Sequence, residues 1–253
     1  MIQRLLKETK GQLVSFNGGT KDNAIPRECE ASLIYESDEE AAKAEELACE
    51  LAETYAEELT PAEPDFSCEI SCETNRTAEA IPQDAAKEFI CAMRLAPNGI
   101  QKRNIKMDGF VVVSLNLGVV RTEEDRIVMI FSPRSSVASL QEDTKERLNT
   151  LAETFGFTVS HSSEYPGWSF KEDSPVREIC KESYKELFGE DLKIEAIHAG
   201  LECGLFSDAI KGLDAIAIGP TIANCHTPDE YLTLDSFERF YEFLKDILSR
   251  LAK

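Results

Sequence analysis

The chain has only three histidines, His161, His198 and His226. Imidazole is the commonest metal ligand and proton shuttle near neutral pH, and the surroundings of each decide which role it can take. His226 lies in TIANCHTPDEY, after an apolar run that ends in Gly219-Pro220. Where strands run parallel, ligands collect in the loops at their carboxyl ends. A neutral imidazole there can ligate a metal, with Asp229 or Glu230 orienting its ring or capping the next turn. A single loop histidine is more often a hydrogen-bonded structural residue, so local chemistry leaves both roles open. His198, in HAGLECG, sits beside glycines that allow close backbone approach, yet a satisfied strand-end histidine is the commoner reading. Cys203 follows with no base placed beside it and reads as a small packed thiol. His161 has no constellation around it.

Two further side chains could hold a substrate. Asn23 lies in the Gly-Gly turn GGTKDNAIPRE, and its amide offers both donor and acceptor, although a plain turn asparagine is the commoner role. Arg134, in FSPRSS, stands where a strand meets a helix start, a place suited to a bidentate carboxylate clamp and equally to a solvated arginine.

The elements that must position these residues can be read from periodicity. QLVSF at 12–16, ECEASLIY at 28–35 and DFSCEIS at 65–71 predict strands. Ser37 and Glu40 form a capping box, and Ala44, Leu47, Leu51, Tyr55 and Leu59 recur at helical spacing up to Pro61. The order then repeats: GFVVVSLNLGVV at 109–120, DRIVMIFS at 125–132, a helix through Leu140, Leu148, Leu151 and Phe155 that ends at Gly156, and FTVS at 157–160. Residues 12–71 and 109–160 therefore predict two ββαβ units of an α+β layer. Beyond 161 the texture changes. Ser174 and Pro175 open a helix to Gly189, KIEAIHA and LDAIAIGP predict strands, and a helix opened by Asp235 and Glu238 ends the chain. Strands alternating with helices predict a doubly wound α/β piece, but two strands are too few for a whole sheet.

Composition excludes several partners. With 47 acidic and 27 basic side chains the formal charge is -20, which disfavours a phosphate backbone and an anionic membrane alike. Residues 36–79 hold 15 acidic and 2 basic side chains and so read as a solvated outer face. No stretch reaches the roughly 20 apolar residues of a membrane span, and the start lacks a signal-peptide apolar region. The cytoplasm is the expected compartment. Eight cysteines with no CxxC pair read as reduced thiols.

FNGGTKDNAIPRE, the run from Asn98-Gly99 through IKMDGFVVVSLNLGVV, EYPGW, IHAGLECGLF and IGPTIANCHTPDE together resemble, in order and spacing, the C-terminal half of the aminoacyl-histidine dipeptidases. These form a branch of the two-metal zinc peptidases that includes carnosinases and aminoacylases. The resemblance spans essentially the whole chain. It implies that residues 1–160 are most of a lid domain lacking its start, and 161–253 the last part of a doubly wound catalytic domain. It further implies that His226 is the family's final zinc ligand, that Asn23 and Arg134 hold the substrate's carboxylate and backbone, and that Gly200 and Glu202 belong to the cleft-lining turn. Two zinc ions are implied for the complete enzyme, and such ligands also accept cobalt or manganese.

The departures from the family pattern carry equal weight. The HxD motif, the bridging aspartate, the Glu-Glu general base and the GGHSG histidine of the lid are absent from this sequence. The resemblance thus implies a C-terminal portion that binds zinc weakly and hydrolyses nothing without an N-terminal half, on the same or a separate chain. The whole form would cleave Xaa-His and other dipeptides. The alternative is a non-catalytic peptide-binding or assembly module derived from the lid. Whether Met1 is a true start, and whether a homodimer forms, the sequence leaves open.

Overall fold

The computed structural model describes residues 1–105, 109–162, 166–168, 170–195, 202–225 and 229–252. These form a mixed α/β chain in two compact units. The first comprises residues 1–101, 114–133 and 142–160; the second comprises 102–113, 134–141 and 161–253.

The main sheet has five strands: β1 (Gln12–Gly18), β2 (Cys29–Ile34), β3 (Gly99–Asn104), β4 (Phe110–Thr122) and β5 (Ile127–Ser135). The strand order is β2-β1-β4-β3, with β5 also paired to β4. β1 runs antiparallel to β2 from Gln12 opposite Ile34 to Gly18 opposite Cys29, with a register shift between Leu13 and Ser15. Gly18 also faces Val120 of β4. The first unit holds helices α1 (Ile2–Glu8), α2 (Asp38–Leu59) and α3 (Gln83–Leu95). α2 starts where the sequence predicts, the Glu40 amide donating to Ser37 Oγ at 3.3 Å. Its apolar side, Ala44 and Ala48, packs with Leu5 against Leu33 and Tyr35, while the acidic side faces water.

α3 was not anticipated, although Ala86, Phe89, Ile90 and Met93 have helical spacing. It supplies half of the main core: Ala86, Phe89 and Ile90 close on Leu13, Phe16 and Val120. Phe16 and Phe89 meet edge to face at 5.5 Å between centroids. α4 (Ala138–Thr154) follows β5. Each predicted ββαβ unit therefore forms as ββα. DFSCEIS and FTVS run as irregular chain without ladder bonds. Their alternation is genuine, but alternation makes a strand only where a neighbouring edge offers backbone partners, and of 65–70 only Ile70 reaches the α1/α2 cluster.

The second unit holds α5 (Pro175–Phe188), α6 (Glu202–Ala209), β6 (Ile222–Ala223), β7 (Tyr231–Leu232) and α7 (Leu234–Leu251). α5 is capped by Ser174, whose Oγ accepts from the Arg177 amide at 3.2 Å, and stops at left-handed Gly189. Cys180, Phe243 and Ile247 form its small core with Tyr184 and Phe188. A polar clamp ties the same helices: Ser183 Oγ and Arg250 Nε both donate to Asp246 Oδ2 at 2.6 Å, and Arg250 also reaches Glu186. Beside that guanidinium the Glu186 carboxyl lies below the usual carboxylate range.

LDAIAIGP forms no strand, nor do the described residues of KIEAIHA, 193–195. A parallel strand exists only between neighbours that accept its slanted bonds. No such neighbours stand beside these runs among the described residues. In place of the expected parallel pair, this unit has the antiparallel β6–β7 pair, Ile222 opposite Leu232 and Ala223 opposite Tyr231.

Asp214 stands in for part of the absent sheet bonding. Its Oδ2 accepts from the Val176 amide at 2.9 Å and so joins the 213–218 run to the start of α5. Burial alone would raise its pKa, but that amide, the Ser174 hydroxyl, Lys171 and Arg177 outweigh it and hold the carboxyl below its usual range. A depressed pKa means that the stabilisation is present above the unfolded-state value, near pH 4, and is lost as pH falls through the folded one. Asp214→Ala is expected to cost about 1 kcal/mol at pH 7, like the loss of a helix cap. The difference from the parent should shrink in urea titrations below about pH 4; an equal gap at pH 7 and pH 3 would contradict this.

Candidate functional site

Asn23 is presented by the first unit on the loop between β1 and β2. The loop leaves β1 at Gly19, whose φ of +71° is left-handed. A Cβ built on Gly19 would lie 1.9 Å from the Gly118 carbonyl oxygen, and one on Gly118 would lie 2.3 Å from that of Asp22. Only glycine at both positions lets the loop lie directly on β4. Asn116, two residues before Gly118, then donates from Nδ2 to the carbonyls of Asp22 and Ala24, each at 2.8 Å. The two carbonyls flank Asn23, which is itself exposed. Two motif blocks far apart in sequence, FNGGTKDNAIP and SLNLG, thus form one piece. The sequence signal for Asn116 is a polar amide two residues from a glycine in a mostly apolar strand.

Arg134 and Glu202 lie in the second unit. Arg134 is the penultimate residue of β5 and is half-buried. Its neighbour Ser135 is buried, its Oγ accepting from the Val137 amide at 3.0 Å, which fixes the turn into α4. The backbone of Gly167, in EYPGW, lies so close that a Cβ there would be 2.5 Å from the Ser135 carbonyl oxygen. The EYPGW block therefore abuts the FSPRSS block. Glu202 is the exposed first residue of α6. α6 is tied to the LDAIAIGP run by Cys203 Sγ, 3.8 Å from the Ile216 carbonyl. That matches a packed thiol rather than a nucleophile. An open cleft of about 1220 Å³ in this unit is lined by Trp168, Phe170, Ile194 and Ile216 with Lys102 and Arg177, and by neither Arg134 nor Glu202.

Gly200, His198 and His226 lie outside the described residues. The flanks of His226 are defined: β6 and β7 clasp the ends of the 224–230 segment, and Asn224, at φ +55°, donates from Nδ2 to the Asp229 carbonyl at 3.4 Å. Among the described residues no three His, Cys, Asp or Glu side chains gather where they could hold a metal ion. The described part of the chain does not by itself form the two-ion clamp that the resemblance implies. No helix among the described residues is long and apolar enough to cross a membrane.

Comparison with known proteins agrees with the motif blocks. The chain is 32% identical over 244 residues to the cytosol non-specific dipeptidase of Escherichia coli (strain K12), a match that covers 95% of this chain and 49% of that protein. The crystal structure of aminoacylhistidine dipeptidase from Vibrio alginolyticus superposes with a TM-score of 0.81 at 32% identity, over 98% of this chain and 51% of the other. Aminopeptidase PepT from Bacillus cereus shares the fold at 18% identity and a TM-score of 0.52, over 66% of this chain and 45% of its own. The chain thus spans about half the length of the relatives it matches. Residues 19–250 match the family described as Peptidase family M20/M25/M40, and the chain belongs to that family.

Proposed function

We propose that this chain is the C-terminal portion of a metal-dependent dipeptidase that cleaves Xaa-His and other dipeptides, and that it acts only together with the polypeptide supplying the rest of that enzyme. The observation that carries this reading is the surface of α7. Leu234, Phe237, Tyr241, Leu248 and Leu251 are 75, 47, 54, 57 and 50% exposed. With Leu244 they fall at intervals of 3, 4, 3, 4 and 3, a continuous stripe along the helix. Phe243 and Ile247, about a third of a turn round the helix from that stripe, are already buried against α5. A helix whose apolar arc is this broad belongs between two layers, and only one is present among the described residues. Phe206 and Ile210 add to the bare surface of the same unit. A contiguous patch of this kind marks a surface built to be covered. The half of each relative's length that this chain does not match is what would cover it.

In the assembled enzyme Asn23 and Arg134 hold the dipeptide's backbone and carboxylate. Gly200 and Glu202 line the cleft, and His226 is one ligand to one of two divalent ions, zinc, with cobalt or manganese acceptable to the same donors. The remaining ligands and the general base come from the other half. The expected compartment is the cytoplasm.

The test is to co-express the chain with the part of a dipeptidase relative that it does not cover. A 1:1 complex that turns over Xaa-His dipeptides, with neither part active alone, is the expected result. Tight stoichiometric zinc and dipeptide turnover by the pure chain would overturn the reading, as would two parts that never associate. The double substitution Phe237→Asp/Leu248→Asp should lower the affinity of the complex at least about 100-fold, since burying even one charge without a partner costs several kcal/mol. It should leave the isolated chain's own unfolding curve in place.

A further inference from the structure

We infer that Asn116 is a positioning residue: its side-chain amide fixes the 19–26 loop on β4 and thereby sets where Asn23 meets substrate. The inference rests on the substrate role proposed above for Asn23. It stands on geometry of its own. Nδ2 of Asn116 lies 2.8 Å from the carbonyl oxygens of both Asp22 and Ala24, so the two N–H bonds of one amide grip the loop on either side of residue 23. The loop's own backbone bonds are few and long: the Gly19 amide to Glu28 and the Ala24 amide to Lys21, both at 3.3 Å. Residues 20–26 are exposed, so apolar burial holds little of the segment.

The platform under the clamp is itself fixed. The Leu117 amide, next to Asn116, donates to Asn98 Oδ1 at 2.8 Å, which bonds β4 to the residue just ahead of β3. Gly118 leaves room for the Asp22 backbone and nothing larger. Asn116 is thus the one side chain through which the loop hangs from the sheet among the hydrogen bonds described. A group that must meet a small substrate to within a fraction of an ångström gains from such pre-organisation, because ordering the loop at each binding event would otherwise weaken the complex.

Two variants separate the clamp from simple packing. Asn116→Asp keeps the shape but has no N–H and points a carboxylate at two carbonyls; Asn116→Ala removes the group. Hydrogen exchange of the full 253-residue chain is the first readout. Both variants should speed exchange of the loop's two hydrogen-bonded amides, Gly19 and Ala24, by about tenfold or more, with Asp at least as severe as Ala, while α3 and the β1–β2 ladder keep their protection. Should Asp behave like the parent, shape rather than donation holds the loop and the inference fails; unchanged exchange in both variants ends it too. The second readout is kinetic, in the complex with the complementary half. There the variants should raise KM for a dipeptide about tenfold with kcat within about twofold, as a loosened binding group does. A loosened loop with unchanged KM would overturn the positioning role while leaving the proposed function in place. If Asn23→Ala itself left KM unchanged, the substrate role of Asn23 would fall, and the exchange result alone would decide whether Asn116 anchors the loop.

Discussion

Phe243→Ala is expected to lower the stability of the second unit by about 3–5 kcal/mol, the usual cost of removing a buried phenyl ring. Phe243 is 5% exposed and sits in a core whose other buried apolar members among the described residues are Cys180 and Ile247. Tyr184 meets it edge to face at 5.3 Å and 83°. Among the described residues no second layer covers the exposed stripe of α7, so none can collapse into the cavity. A domain's whole stability is about 5–15 kcal/mol, so this loss takes a large share of it. The one tryptophan of the chain, Trp168, lies in the second unit and reports its unfolding by fluorescence. The variant should lose the Trp168 transition at low urea, while far-UV ellipticity keeps the transition of the first unit, whose core of Leu13, Phe16, Phe89 and Ile90 is untouched. A single transition at the parent midpoint would mean that α7 is not seated on α5 as described.

His226→Ala should reduce dipeptide hydrolysis by the assembled enzyme more than about 100-fold and lower its bound metal below the parent's. Loss of a residue that merely orients a metal ligand costs about 10–100-fold in affinity or activity, and loss of the ligand itself should exceed that. The substitution should leave the isolated chain's Trp168 transition unmoved, since the β6–β7 ladder and the Thr221 to Ser236 bond that flank the loop do not use the imidazole. Asn23→Ala and Arg134→Ala should act on substrate use instead, chiefly through KM. Full activity and full metal content in His226→Ala would remove His226 from the ligand set.

Much of this protein was legible in its sequence wherever the information is local. α2 begins at Ser37 because one hydroxyl satisfies one amide, and α5 begins at Ser174 and stops at Gly189 for equally local reasons. β1, β2, β4 and β5 follow from apolar alternation and apolar runs that find partners one hairpin away. α3 was legible too, in the spacing of Ala86, Phe89, Ile90 and Met93, and was overlooked among the acidic and irregular residues before it. The site was legible as residue types in blocks, and as nothing more.

What the sequence by itself determined, then, is the set of amphipathic elements, the acid-rich outer face and the motif blocks that place the chain among the M20 peptidases, all properties of neighbouring residues. Only the tertiary structure decided the rest. DFSCEIS, FTVS and LDAIAIGP have the pattern of strands and are not strands, because a strand is completed by an edge elsewhere in the fold. Asn116 became part of the candidate site only when β4 was laid beneath the 19–26 loop, 92 and 94 residues earlier in the chain. The apolar stripe of α7 shows the same division: its spacing is written in the sequence, but that one side is buried and the other left bare is a fact of packing.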